Sequence, residues 1–395
     1  MKVCAPHMGT LYVALRALFE GLGTEIVVPP PCSRRTLSLG TKYSPEFVCL
    51  PYKMLLGNFI EALEMGADTL VMIEGDRICR LGYYMRVMEH ALRDLGYHFE
   101  VITTRIFQRQ ILGLPDGLRV FAPGAPLAVI LSAVRLALCK LNALDAVERV
   151  LQRARARELT KGQAGSVWRK AIAAIDRAQN VAAVRAARDD ATQVLEAIPQ
   201  DTDREPLRVG IIGEIYVVLE PFVNMDVERE LGRLGVQVHR TIMLSDWTRF
   251  TLFLSAVGMS AHDRAHKAAM PYLSRDVGGD GWESVGETVL HAQARFDGMV
   301  HLAPFTCMPE IIAQNILIGV RKDVDIPVLS ITCDEQMGRA GMITRLEAFV
   351  DLLRRRKRTS GRRVVRRDVA RSKRFSFGAG SAALPGGKSG RLSGD

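Results

Sequence analysis

Three cysteines stand where an extended stretch hands over to a helical pattern: Cys49, Cys79 and Cys307. Cys49 follows Pro45-Glu46-Phe47-Val48 and precedes the helical pattern Lys53 to Met65. Cys79 follows the apolar run Thr69 to Ile73 and precedes a helix beginning near Gly82. Cys307 follows Gly298 to Pro304 and opens the helix Pro309 to Gly319. In an open α/β sheet the ligand crevice lies at the carboxyl ends of the strands, and the helix N-termini that begin there favour negative charge. Thiolates at such positions would be stabilised, and so would the negative charge of a thiolate-bound metal cluster. Two thiols from one half of the chain and one from the other describe a metal site in a cleft between two domains. The same residues have a second reading, because a free cysteine is among the most buried residue types and packs as a small hydrophobe. There is no C-x-x-C pair and no tight Cys/His run of the zinc or ferredoxin kind, so spacing leaves both readings open.

Other side chains fall at the same edge. Arg80, beside Cys79, would lower a thiol pKa or donate to cluster sulfur; its alternative is a surface salt bridge. Lys53, one helical turn beyond Cys49, is placed to meet a cluster or an anionic substrate, or to serve an ion pair. Glu214 ends a strand and is a candidate general acid/base or a cap for the next segment. Asp334 and Glu335 also end a strand, where paired carboxylates serve proton transfer or cap a helix. Cys32 lies in a Pro-rich loop outside the three-thiol pattern. Cys4, Cys139 and Cys333 sit in apolar contexts and read as core, Cys333 being a minor site candidate because it lies near a strand end. His7 reads as a packed loop histidine.

The elements that must position these residues alternate. Strand signals at Lys2 to Ala5, Glu25 to Val28, Thr69 to Ile73 and His98 to Ile102 are interleaved with helices near Leu11 to Leu22, Lys53 to Met65 and Gly82 to Leu95. Such alternation predicts a parallel sheet with helices on its faces. From 126 to 205 alanine and arginine dominate and no strand signal occurs, which predicts a helical linking segment. The rhythm resumes with strands Leu207 to Gly213, Val236 to Ile242, one ending at Pro304, and Ile326 to Thr332. Helices are expected at Val223 to Leu234, Trp247 to Met270, Trp282 to Arg295 and Gly341 to Arg356. The expected organisation is therefore an α/β domain over 1–125, the helical segment 126–205, a second α/β domain over 206–356 and a tail over 357–395.

A chain of 395 residues with 48% hydrophobic content fills two cores rather than one. The net charge of +10 is not spread evenly: eleven of the 53 bases and two of the 43 acids lie beyond residue 356, so residues 1–356 carry 42 bases and 41 acids. A nearly neutral body and a basic, Gly/Ser-rich, disordered tail exclude a specific nucleic-acid surface on the body. Seven cysteines without a secretory pattern point to a reducing cytoplasm. The apolar stretch Ala125 to Leu138 reads as too short to span a bilayer.

The cysteine regions carry a resemblance. Pro45-Glu46-Phe47-Val48-Cys49-Leu50-Pro51-Tyr52-Lys53 with Gly57-Asn58-Phe59, Cys79-Arg80-Leu81-Gly82-Tyr83-Tyr84, and Pro304-Phe305-Thr306-Cys307-Met308-Pro309-Glu310 are similar, in that order, to the three cluster-ligand regions of the 2-hydroxyacyl-CoA dehydratase superfamily. That superfamily also contains benzoyl-CoA reductase subunits and double-cubane cluster proteins. Gly213-Glu214-Ile215-Tyr216 and the stretch Asp334 to Phe349 resemble its stand-alone CoA protein activase, or dehydratase-related, branch. The resemblance covers residues 1–356. It implies two Rossmann-like domains holding an iron–sulfur cluster, a 4Fe-4S cubane or a shared double cubane, on Cys49, Cys79 and Cys307. It also implies electron delivery by an ATP-dependent activase of the acetate-kinase/actin type, and pairing as a homodimer or with a related second subunit. Reduction or dehydration of a small or CoA-linked substrate at an open cluster iron is the first expectation. A non-catalytic electron relay in an activase complex is the second, and a zinc-holding two-domain binding protein the third.

Overall fold

Short apolar strands separated by amphipathic helices build two four-stranded parallel sheets in the computed structural model, which describes residues 1–72, 74, 79–103, 114–249 and 263–375. The first half runs β1 (Lys2–Cys4), α1 (Leu11–Gly21), β2 (Glu25–Ile26), α2 (Arg34–Tyr43), α3 (Leu50–Glu64), β3 (Thr69–Met72), α4 (Leu81–Asp94), β4 (Glu100–Thr103) and α5 (Leu114–Arg119). Its strand order is β2-β1-β3-β4, with Val3 opposite Ile26 on one side and Thr69 on the other. Three helices follow without an intervening named strand: α6 (Leu127–Arg157), α7 (Gln163–Arg177) and α8 (Val181–Ala197). The second half runs β5 (Leu207–Gly213), α9 (Ile215–Leu219), α10 (Val227–Arg233), β6 (Val236–Arg240), α11 (Leu244–Arg249), α12 (Asp263–Ala269), α13 (Gly281–Gln293), β7 (Gly298–Pro304), α14 (Met308–Asp323), β8 (Val328–Cys333) and α15 (Arg339–Phe375). Its order, β6-β5-β7-β8, repeats that of the first sheet, and all its pairs are parallel. In each sheet the order reverses beside the first strand, between β1 and β3 and between β5 and β7. Those are the topological switch points at which α/β sheets open a crevice.

The α/β expectation thus holds in its coarse form. Residues Met1–Val350 form one compact unit and Asp351–Asp395 a second. Within the first unit, α3 is deeply enclosed: every residue from Leu50 to Leu63 is buried. Helix α2 lies against it so closely that a Cβ on Gly57 would come 2.0 Å from the carbonyl oxygen of Thr36. That close approach requires glycine. Helices α6 to α8 share an apolar cluster of Leu144, Val147, Leu151, Ile175, Val184 and Leu195.

Several elements differ from the sequence reading. Helix α2 was not anticipated; it starts at a capping box in which Ser33 and Thr36 bond each other's backbone. The helix expected at Val223 to Leu234 is shortened to α10, which starts only at Val227 because Met225 and Asp226 adopt left-handed φ of 58° just before it, and α9 was not anticipated. The helix expected at Trp247 to Met270 is represented by α11 and α12, its middle lying outside the described residues. The stretch Ala125 to Leu138, read as too short for a bilayer, belongs to a helix of 31 residues that is long and apolar enough to cross one by length and composition. Its buried residues, Ile130 and Ala133 among them, pack in the cores of the unit. The tail expected to be disordered from 357 is helical through Phe375, a stretch without proline and rich in Arg, a good helix former. Residues 376–395 lie outside the described residues.

Candidate functional site

The carboxyl ends of both sheets gather the chemistry. β5 ends at Gly213, and Glu214 caps α9, its Oε2 accepting from the Val217 N–H at 3.0 Å. Glu214 is 8% exposed. Burial pushes its carboxyl up to about 7, outweighing the N–H groups of Val217 and Tyr216, and the charge of Glu310 adds to the rise. Asp280, just ahead of α13, accepts from the Ile215 N–H at 2.9 Å. Burial drives its carboxyl well above the ordinary value, with Glu283 and Glu214 adding to it. Glu310, in the first turn of α14 and fully buried, has His301 Nε2 at 2.7 Å and the Ser284 hydroxyl at 3.0 Å on one oxygen. Its other oxygen has no partner among the described residues.

The cysteines stand around this carboxylate group. Cys49 is the N-cap of α3 and Cys307 the N-cap of α14, as their placement before helical patterns predicts. Cys49 Sγ lies 2.5 Å from Tyr84 Oη, and the Tyr84 ring meets Tyr52 edge-on at 4.9 Å. Cys79 is half-buried, and its sulfur faces Gly279, where a Cβ would lie 4.0 Å from it and 3.2 Å from Pro309 Cγ. Arg80 reaches across to donate to the Thr306 carbonyl at 2.6 Å. Thr306, immediately before Cys307, has φ of 64°, an uncommon conformation for a β-branched residue, and its buried hydroxyl has no partner among the described residues. The three cysteine segments therefore meet in one region.

They do not form a metal centre. Among the described residues no group of three or more His, Cys, Asp or Glu side chains is arranged to hold a metal ion. Metal ligation needs thiolates, and here burial and acidic neighbours oppose ionisation more than the helix N-termini favour it. Burial raises Cys49 to about 11, and the charges of Glu214 and Cys79 add to the rise. Burial first, then Glu214 and Glu310, push Cys307 higher still. Burial also raises Cys79, with Glu214 and Asp280 adding to the rise and Arg80 opposing it. The expectation of an iron–sulfur protein, with a 4Fe-4S cubane or a double cubane on Cys49, Cys79 and Cys307, is corrected accordingly. The cluster-bearing relay and the zinc-holding alternative fall on the same observation.

The other candidates divide. Lys53 is buried and bonds Glu335 Oε1 at 2.7 Å and the Glu46 carbonyl at 3.4 Å, so its charge is spent on an ion pair. Burial would raise Glu335, but the bond from Lys53 and its charge hold that carboxyl below the ordinary value. Asp334 accepts from the Gln336 N–H at 2.9 Å. Cys4 and Cys333 are fully buried, and burial raises both thiols to about 12. His7 packs in its loop with Nε2 2.7 Å from the Pro29 carbonyl. Tyr84, Asp280, Thr306 and Glu310 were missed as site residues. Tyr84, Thr306 and Glu310 lie inside the motif stretches, and Glu310, one helical turn beyond Cys307, carried an available signal; Asp280 had none.

Beside Glu214 the two halves enclose an apolar pocket of about 240 Å³. Its walls are the end of β1 (Pro6, His7, Met8), the end of β3 (Val71, Met72) and the start of α9, with Leu138 of α6 and Trp247 opposite. Glu214 is the one acidic side chain among the described residues lining it. Thr248 also lines it, with a buried hydroxyl that has no partner among the described residues. Comparison with protein-family models and with curated protein sequences gives no match to this chain.

Proposed function

We propose that the protein binds a small, mainly apolar molecule at the switch points of its two sheets and that Glu214 exchanges a proton with it. The observation that carries this reading is Glu214 itself: a buried carboxyl pushed up to about 7, set in an otherwise apolar pocket at the carboxyl ends of β1, β3 and β5. A group that is half protonated near neutrality both gives and takes a proton efficiently. The volume of about 240 Å³ lies below the roughly 300–1,000 Å³ of drug-sized sites, so the substrate is small. Burial, with a smaller contribution from the charge of Glu310, keeps Glu214 in the range where it both gives and takes a proton.

The scaffold follows the same reading. Each sheet has the order of the first four strands of a flavodoxin-like sheet, which supports two Rossmann-like domains of the kind the dehydratase superfamily resemblance implies. Kinship in scaffold and motif placement is what that resemblance contributes here.

Exchange of the α-hydrogens of cyclic ketones with deuterium oxide, followed by NMR, tests the chemistry, and calorimetry on the same ketones tests the pocket. Wild-type protein should accelerate exchange, Glu214→Gln should abolish the acceleration while still binding, and Leu138→Trp, which fills the pocket, should abolish both. Equal exchange in wild type and Glu214→Gln would refute the reading.

A further inference from the structure

A second cavity, of about 690 Å³, is bounded by the Pro29–Cys32 loop, the beginning of α1, α6, α7 and the segment Val218–Asp226. Arg155 of α6 lines it, is only 9% exposed, and makes no hydrogen bond or ion pair among the described residues. The charges of Glu228, Glu148 and Glu158 reach it, but the hydrogen bonds of these carboxylates go to other groups. Glu228 accepts from Arg240 at 2.7 Å and from Gln152 at 2.9 Å. Glu148 is bound by the same Arg240. Glu158 accepts from the Gly162 and Ala164 N–H groups, both at 2.8 Å, at the start of α7. The Arg155 stem is pinned against α10, since a Cβ on Gly232 would come within 2.5 Å of its Cγ and Cδ. Nearby carboxylate charge thus favours the guanidinium, but its buried N–H groups have no hydrogen-bonding partner among the described residues, a cost that a bound ligand removes.

The rest of the lining fits an anion with a ring attached. Tyr12 and Trp168 present aromatic faces, and Arg169, exposed at the same cavity, also has no hydrogen bond or ion pair among the described residues. Arg16, which lies over the Tyr12 ring at 5.6 Å, is occupied by Asp176. Of the acidic lining, Glu148 and Glu228 share the charge of Arg240, and Asp226 pairs with Arg229 at 2.6 Å. Glu220, which accepts from the Gly9 N–H at 3.0 Å, is pushed up to about 7 by burial and is half protonated at neutral pH.

We propose that this cavity is a second binding site, for a small molecule that carries a phosphate or carboxylate on a flat ring, with Arg155 bonding the oxyanion and Tyr12 and Trp168 flanking the ring. The site is distinct from the pocket beside Glu214, the two linings sharing His7 alone. A planar guanidinium bonds either oxyanion in the same fork geometry, so chemistry alone does not separate the two.

Calorimetry on the full chain with adenosine monophosphate, 2-naphthoate and inorganic phosphate decides. At least one ring-bearing anion should bind more tightly than inorganic phosphate, and the tighter of the two identifies the oxyanion. Arg155→Met should weaken that binding by about tenfold to a hundredfold, and unliganded Arg155→Met should melt no lower than wild type, because the change removes a buried guanidinium that has no hydrogen-bonding partner. Gly232→Ala, which displaces the Arg155 stem without removing its charge, should weaken binding as well and serves alone if Arg155→Met does not fold. Failure of all three anions to bind wild type, or binding unchanged in both variants, would overturn the assignment. So would an Arg155→Met protein that melts well below wild type while Gly232→Ala binds normally, since Arg155 would then be structural.

Discussion

Replacing Glu214 by glutamine should stabilise the protein above neutral pH and leave it nearly unchanged in acid. The folded state raises this carboxyl from its ordinary 4.5 to about 7. Between those values the native protein keeps a proton that the unfolded chain has released, so stability falls as pH rises through the window. Below it both states are protonated and nothing is lost. Above it the full cost applies, roughly 3 kcal/mol at about 1.4 kcal/mol per pH unit. Glutamine keeps an amide oxygen to accept the Val217 N–H and carries no charge. The expected gain is therefore about 2–3 kcal/mol near pH 8.5 and close to zero near pH 4.5, after allowing for a slightly weaker cap. Urea unfolding of both proteins across this range measures it, with an unchanged denaturant slope as the control for two-state behaviour. Part of the pH dependence should survive in the variant, because burial also raises Glu220 to about 7 with the same sign. Parallel stability curves for the two proteins would refute the reasoning, since Glu214 would then titrate alike in the folded and unfolded states.

Two further outcomes follow from the same geometry. Native alkylation at about pH 8, read by mass spectrometry, should label the half-exposed Cys139 and Cys79 before the buried Cys49 and Cys307; prompt labelling of Cys49 or Cys307 would mean that the helix N-termini outweigh burial after all. Glu335→Gln should cost about 2–4 kcal/mol near neutral pH, because buried Lys53 loses its counter-charge. The Glu335 carboxyl is held low in the folded state, so its stabilisation is present above about pH 4.5 and is lost as pH falls through the folded pKa; chemical denaturation should show the gap between the two proteins closing in acid.

Strand-helix alternation was legible where apolar runs are bounded by helical patterns, as at Thr69–Met72, Leu207–Gly213 and Gly298–Pro304. So was the placing of Cys49 and Cys307 at helix starts, because local sequence alone sets a helix boundary. Helix α2 was not legible: Arg34–Tyr43 is polar and rich in Ser and Thr, and it packs on α3 through Gly40, whose Cβ would strike the Lys53 carbonyl at 1.6 Å. That contact belongs to tertiary structure. The charge of the site was hidden for the same reason. Cysteines at helix N-termini suggested thiolates, whereas the fold surrounds them with Glu214, Asp280 and Glu310, drawn from three separate segments. No spacing rule joins residue 214 to 280 and 310. Only the assembled cleft shows that acidic neighbours and burial prevail over the helix ends.

The distribution of unsatisfied groups bears on whether this edge is functional or a packing accident. Buried polar atoms without partners are rare in folded proteins, and each calls for a cause. Of the ten such atoms among the described residues, Thr248 Oγ1 belongs to the lining of the pocket beside Glu214, and Thr306 Oγ1 and Glu310 Oε1 belong to the segment that follows β7. Thr306 adds a left-handed φ that a β-branched residue adopts only under constraint. A core selected for stability alone would replace such groups with apolar ones of similar shape, Val for Thr or Phe for Tyr, at little cost and some gain. Three such groups near a carboxyl poised close to neutrality are expected of a site that trades stability for a ligand's hydrogen bonds. It is not expected of a closed interior whose cysteines merely fill space.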